Sequence, residues 1–294
     1  MRLGEVCRCR GPQAAAPVPV INDGNFENVT RLDADSVVKR YQRRERYLAE
    51  RRTLTLLAGR GIAPELRYTC DTHLTLRMSR VAGRTLRRTD ETSREPYPVL
   101  RGLAQTLAAL HAVPPGDDAP PLDDIAVRAE WRQRLEQRIA SLPIPWSDVA
   151  ALRRWADRAA VMLPRVERAV LLHHDPKPDN LVWDGRRVVL LDFDQSRWGH
   201  PLSDLGKLRW RTLPPVDRAD APWRRFLSHY RAGYPGEFDP AAVELFRTGH
   251  ALGSLAYWFD FQNPRYLRHA VPAAELVAEA TGVQVRLNAT EVPA

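Results

Sequence analysis

Within eight residues, His173-His174-Asp175-Pro176-Lys177-Pro178-Asp179-Asn180, the chain gathers imidazoles, carboxylates, an ammonium and a carboxamide; Leu191-Asp192-Phe193-Asp194 adds two more carboxylates shortly after. Phosphoryl transfer asks little covalent work of a protein. It needs a hydroxyl in line with the phosphorus, a proton acceptor beside that hydroxyl, and divalent metal on the phosphates. Asp175 supplies a carboxylate base, while Asn180, five residues on, and Asp192 supply oxygen ligands of the kind Mg2+ takes together with water and phosphate oxygens. Between them Leu181–Asp194 reads as a β-hairpin, LVW and VVLLDF around a DGRR turn, whose return brings Asp192 back over Asn180. HxDxxxxN alone is short enough to arise by chance. The strand, turn, strand and DFD at this distance make the composite specific.

HHDPKPDN followed by LLDFD resembles the catalytic loop and metal-binding motif of the protein-kinase-like superfamily, and most of all its aminoglycoside phosphotransferase and choline kinase branch. The similarity runs from about Ile21 to at least Leu205, with all parts in the same order. The resemblance implies an ATP- and Mg2+-dependent kinase in which Asp175 is the catalytic base, His173 braces the loop, Lys177 lies near the transferred phosphate, Asn180 is a magnesium ligand and Asp192 is the principal one. Asp204, in Pro201-Leu202-Ser203-Asp204-Leu205, resembles the aspartate that holds the catalytic loop's backbone. Asp194 stands where protein kinases carry the glycine of DFG, which leaves open a share in metal binding or a turn cap.

Upstream, Lys39 in VVKRY resembles the strand lysine that contacts the α- and β-phosphates and pairs with a helix glutamate. From about Gln42 to Ala58, Tyr47, Glu50, Leu54 and Leu57 fall three or four apart and share one helix face. Glu50 therefore points inward, where an unpaired charge is costly and Lys39 is the evident partner; Glu45 is the competing choice. Asn22-Asp23-Gly24-Asn25-Phe26-Glu27-Asn28 occupies the place of the phosphate-covering loop, with Gly24 and Asn28 as candidate contacts, although it holds one glycine and not the three of GxGxxG. By position along the chain, Ser79 and Val81 are candidates for backbone hydrogen bonds to adenine, with Met78 lining the pocket. His111 resembles a helix end common in this branch and reads as structural.

Short strands are expected at Val18–Ile21, Val29–Leu32, Ser36–Tyr41, Leu66–Tyr68 and His73–Met78, around turns at Asn22–Asn25, Gly59 and Gly61. After a connector at Gly83, amphipathic helices are expected near Pro96–Val113, Val127–Leu142, Asp148–Ala169, Ala221–Tyr230 and Pro240–Phe261. The element pattern is thus α+β, and the resemblance implies a protein-kinase-like two-lobed fold. Residues 1–82 form a nucleotide-binding lobe of antiparallel sheet plus one helix, and residues 83–294 a mainly helical catalytic and substrate-binding lobe.

With 294 residues and 44% hydrophobic content, the chain holds a core without needing disulfides or a structural metal. Cys7, Cys9 and Cys70 form no CxxC pair, and no run of 18 apolar residues occurs, so the expected setting is a reducing cytoplasm with no membrane span. The net charge of +8 resides in the first third, where residues 1–88 carry 18 Lys or Arg against 9 Asp or Glu. That suits a polyphosphate ligand, while the absence of interleaved aromatics disfavours nucleic acid. Of 44 basic residues only Lys39, Lys177 and Lys207 are lysines, and two of these lie in the motifs above. A compact ammonium and a planar guanidinium are not interchangeable beside phosphate.

The acceptor is less legible. Residues 201–294 hold 11 basic and 10 acidic side chains, a balance that gives no support for the strongly acidic pocket a polycationic aminoglycoside favours, although Asp117, Asp118, Asp123, Asp124 and Asp260 could gather locally. The expected substrate is a small-molecule hydroxyl, of an antibiotic, sugar or amino-alcohol. A Ser/Thr acceptor in a peptide, suggested by Lys177, is the alternative, and a catalytically inactive scaffold the third reading.

Overall fold

The computed structural model describes residues 20–21, 28–86, 97–115, 123–167, 169–213, 220–236, 238–261 and 267–287. Their contacts group the chain into two units. One comprises the chain up to Val113 with His173–Arg197 and Arg224–Tyr234; the other comprises Pro114–Leu172, Trp198–Trp223 and the chain from Pro235 on.

In the first unit, β1 (Val20–Ile21), β2 (Asn28–Leu32), β3 (Ser36–Tyr41), β4 (Leu66–Cys70) and β5 (Thr75–Ser79) form an antiparallel sheet in the order β1-β2-β3-β5-β4. On β3, Ser36, Lys39 and Tyr41 are buried, and the register sets Lys39 between Thr30 of β2 and Leu76 of β5. Helix α1 (Arg44–Leu56) buries Tyr47, Glu50 and Leu54 of the predicted stripe together with Thr53, while Leu57, also buried, caps its end, and the left-handed Gly59 and Gly61 turn the chain away after it.

The expected hairpin is present as β8 (Leu181–Trp183) and β9 (Val188–Leu190), closed by Asp184, whose carboxylate accepts from the amides of Arg186 and Arg187 at 2.8 Å each. A third strand joins it. The stretch after Gly83, expected as a connector, forms β6 (Arg84–Thr85), paired antiparallel with β8. Gly83 permits this: its φ is +138°, and a Cβ there would meet the carbonyl oxygen of Trp183 at 2.3 Å. Helix α2 (Tyr97–His111) supports the hairpin from below, Thr106 donating to Val188 O at 2.7 Å. His111 Nδ1 lies 2.6 Å from the Tyr230 hydroxyl, both side chains buried, in keeping with its expected structural role.

The second unit is helical: α3 (Asp124–Ala140), α4 (Trp146–Met162), α5 (Leu202–Arg211), α7 (Ala242–Phe261) and α8 (Leu267–Thr281), with α6 (Ala221–Gly233) divided between the units. Trp131 of α3 meets Trp155 of α4 and Phe246 of α7 with ring centroids 6.5 and 5.1 Å apart. The helix expected over Asp148–Ala169 is shorter than that. It stops at Met162, ahead of Pro164, and the chain goes on into β7 (Val170–Leu172), against which β10 (Arg197–Gly199) pairs. Helices α5 and α8 were not among the expected stretches. Among the described residues no helix is long and apolar enough to cross a membrane.

Because Gly83 both holds a positive φ and abuts backbone, Gly83→Ala is expected to cost about 2 kcal/mol, read as a lowered Tm. Gly59→Ala, whose Cβ meets nothing within 4 Å, bears only the φ strain. Equal losses in the two variants would remove the close approach to Trp183 as the reason for glycine.

Candidate active site

Three carboxylates converge on one buried ammonium. Lys39 Nζ lies 2.7 Å from Glu50 Oε2, hydrogen-bonds Asp192 Oδ1, and stands 4.0 Å from Asp194 Oδ2. Glu50, 1% exposed, also accepts from the Tyr41 hydroxyl, and its other oxygen accepts from the amide of Phe193 at 3.2 Å. One glutamate on α1 thus fixes both the lysine of β3 and the backbone of the segment carrying Asp192. Ser196 fastens the same segment to α1, its hydroxyl 2.6 Å from Thr53 Oγ1.

The 173–180 loop is organised by its own polar groups. His173 is wholly buried; its Nε2 lies 2.8 Å from Leu191 O, and its Nδ1 accepts from the Asp175 amide at 3.2 Å, which places the ring proton on Nε2. The imidazole therefore ties Asp175 to the residue preceding Asp192. Asn180 Nδ2 donates to Asp175 O at 2.9 Å and to Asp175 Oδ2 at 3.3 Å, and Lys177 Nζ sits 3.3 Å from that same oxygen. Leu191 N donates to Asn180 O at 2.8 Å, so the hairpin delivers Asp192 one residue beyond the partner of Asn180. His174 and Asp192 both take left-handed backbone conformations, with φ of 66°. Non-glycine residues persist there only when surrounding contacts over-determine them.

Burial works against the charge on Lys39, but Glu50, Asp192 and Asp194 more than offset it and leave the ammonium harder to deprotonate than an ordinary lysine. Burial likewise works to raise Asp192, and Lys39 with Lys177 brings it below the usual carboxylate range. Asp194 is pushed up to about 7 by burial and by the neighbouring Asp192 charge. Tyr41 is raised by burial and by Glu50, which keeps its hydroxyl a donor.

The donor set suits Mg2+. The Asn180 amide nitrogen is spent on Asp175, so its oxygen is the atom that would face a cation; Asp192 is held ionised, and negative charge exceeds the local lysine charge. Among the described residues no three His, Cys, Asp or Glu side chains form a metal cage of their own.

Of the residues singled out in the sequence, Lys39, Glu50, His173, Asp175, Lys177, Asn180 and Asp192 come together through these contacts, with Glu50 rather than Glu45 on Lys39. Met78 is buried on β5. Ser79 receives the Glu65 amide on its hydroxyl at 2.9 Å and donates its own amide to Glu65 O at 2.8 Å, and Val81 follows in the irregular segment before β6. Asn28 makes a contact that nothing in its spacing announced: its side-chain amide donates to Asp194 Oδ2 at 3.0 Å. Tyr41 and Arg46, the latter 3.6 Å from Asp194 Oδ1, were also missed, since neither type marks a site by itself. Gly24 lies outside the described residues. Asp204 is wholly buried in the first turn of α5, in the second unit.

Several solved structures share this fold. A choline/ethanolamine kinase family protein from Mesorhizobium loti superposes with a TM-score of 0.67 at 17% identity, over 96% of this chain and 90% of that one. A macrolide 2′-phosphotransferase, MphH, from Brachybacterium faecium gives 0.60 at 20% identity over 85% and 87%. The ADP-bound aminoglycoside phosphotransferase APH(2″)-Ib gives 0.61 at 16% over 88% and 90%. The fold is therefore the kinase-like α+β fold. Residues 19–246 match the model of the phosphotransferase enzyme family, and the chain belongs to that family. No curated protein matches it by sequence.

Truncating Glu50 leaves Lys39, the Tyr41 hydroxyl and the Phe193 amide without their shared acceptor, so Glu50→Ala is expected to cost about 3–5 kcal/mol. Glu45→Ala, at an exposed position, should stay within about 0.5 kcal/mol. Urea midpoints at unchanged m-value decide this; similar losses would contradict the central role of Glu50.

Proposed function

We propose that this phosphotransferase transfers the γ-phosphoryl group of ATP, with Mg2+, to a hydroxyl of a small molecule. What carries the reading is the Asp175 carboxylate, held by Asn180 and Lys177 at 3.3 Å each, in the same unit as an Asp192 fixed on Lys39. In the reaction the acceptor hydroxyl hydrogen-bonds Asp175 and gives it the proton as its oxygen bonds to the γ-phosphorus; the bond from that phosphorus to the bridging oxygen breaks, and ADP leaves with the electron pair. Asn180 and Asp192 would hold the metal, which when bound neutralises charge on the phosphates. Lys39 fixes the α/β end and Lys177 lies toward the transferred group, so positioning and charge neutralisation supply most of the rate. His173 keeps Asp175 and Asp192 in register.

In this reading residues 1–82 act as the nucleotide-binding lobe, with Gly24, Asn28, Met78, Ser79 and Val81 toward the nucleotide, and residues 83–294 as the catalytic and substrate-binding lobe of a cytoplasmic enzyme. The structural relatives are, by name, choline, macrolide and aminoglycoside kinases or phosphotransferases, which favours a small amino-alcohol, sugar or antibiotic as acceptor. A Ser/Thr peptide acceptor is the second reading, favoured by Lys177 beside Asp175 as in protein kinases. A scaffold without turnover is the third.

The test is ATP consumption by the purified protein with Mg2+ across aminoglycosides, macrolides, choline-like alcohols, sugars and Ser/Thr peptides. Asp175→Asn is expected to lower acceptor-stimulated kcat by about 100-fold or more while ATP affinity changes little, and Asp192→Ala to abolish metal-dependent turnover. Near-normal rates in both variants would overturn the assignment, and ATP binding without turnover on any acceptor would favour the scaffold.

A further inference from the structure

The two aspartates of Asp192-Phe193-Asp194 serve different neighbours. Asp192 responds to Lys177 and Asp175 of the 173–180 loop as well as to Lys39. Asp194 instead faces the sheet and α1. One oxygen accepts from Asn28 Nδ2 at 3.0 Å and stands 4.0 Å from Lys39 Nζ, and the other lies 3.6 Å from Arg46 Nη1. Its side chain is 8% exposed, and the donors come from β2, β3 and α1, with Asn28 lying 166 residues away in sequence. Asn28 pairs with Tyr41 in the sheet register, so one rung of β2 and β3 reaches both acids: Asn28 donates to Asp194, and Tyr41 to Glu50.

We propose that Asp194 is a positioning residue for the nucleotide, acting through Asn28 and Arg46 to hold the leading end of β2 and the first turn of α1 against the segment that presents Asp192. A glycine at this position would offer no acceptor for either. The link fixes the strand that follows residues 22–27 relative to the metal-holding acid, so its loss weakens binding of the metal-nucleotide complex and leaves the chemistry at Asp175 intact. This rests on the reading of the site as a nucleotide site.

The experiment measures the Kd of ATP in saturating Mg2+ by calorimetry, without acceptor, for wild type, Asn28→Ala, Asp194→Ala, Asp194→Asn and the double variant Asn28→Ala/Asp194→Ala, alongside KM, kcat and the Mg2+ midpoint. Losing a hydrogen bond to a charged group predicts about tenfold weaker ATP binding in each alanine variant. The double variant should be no weaker than the worse single one, Asp194→Asn should recover part of the loss by accepting from Asn28, and kcat and the Mg2+ midpoint should stay unchanged. Wild-type affinity in Asn28→Ala together with a shifted Mg2+ midpoint in the Asp194 variants would make Asp194 a direct metal ligand and overturn the proposal. Additive losses would overturn it too. If wild type binds no ATP, the nucleotide reading itself fails; if wild type binds and all variants match it, only the role of Asp194 fails.

Discussion

The ammonium of Lys39 is the constraint around which the first unit is arranged. It is buried, and it is surrounded by Glu50, Asp192 and Asp194 from two stretches of chain far apart in sequence. Removing these charges from water is expensive, and the cost is offset only by close pairing and by further hydrogen bonds to the remaining lone pairs. Glu50 meets that condition fully, because the Tyr41 hydroxyl and the Phe193 amide occupy what Lys39 leaves. A guanidinium could not occupy the same point. Its planar fork is broader than an ammonium, and in a chain that otherwise writes its cations almost entirely as arginine, lysine at position 39 marks where compactness is required.

Three carboxylates face the one ammonium of Lys39, two more than a neutral ion pair holds, and that excess has consequences. With Asp192 ionised, Asp194 is pushed up to about 7 by burial and by Asp192, so the charge is shared unevenly between two acids two residues apart. The backbone takes part of the cost: His174 and Asp192 hold left-handed conformations, secured by the His173 bridge between the Asp175 amide and Leu191 O.

Membership of the phosphotransferase enzyme family agrees with a phosphotransferase site, and the likeness to the solved kinase and phosphotransferase structures, which is one of fold, leaves the acceptor open. The reason is physical. The transferred group is the same throughout, so the residues that handle it are constrained, whereas the acceptor is recognised by surfaces that need only match its shape and charge.

The chemistry-bearing segments were legible in the sequence because they are local. HHDPKPDN and LLDFD bring the candidate base and candidate metal ligands together by spacing, the DGRR turn announces its hairpin, and the 3.6-residue period of α1 points Glu50 inward. What needed the tertiary structure depends on partners remote in sequence: the Asp194 link to Asn28, the convergence of Lys39 with Asp192 across 153 positions, and β6, which is a strand only because β8 lies beside it. The strand β7 belongs with these, because the Val170–Leu172 triplet becomes β only by pairing with β10. Local propensity and periodicity are properties of neighbouring residues, while a strand partner, a buried ion pair or a hydrogen bond across the sheet exists only after the chain has folded back on itself.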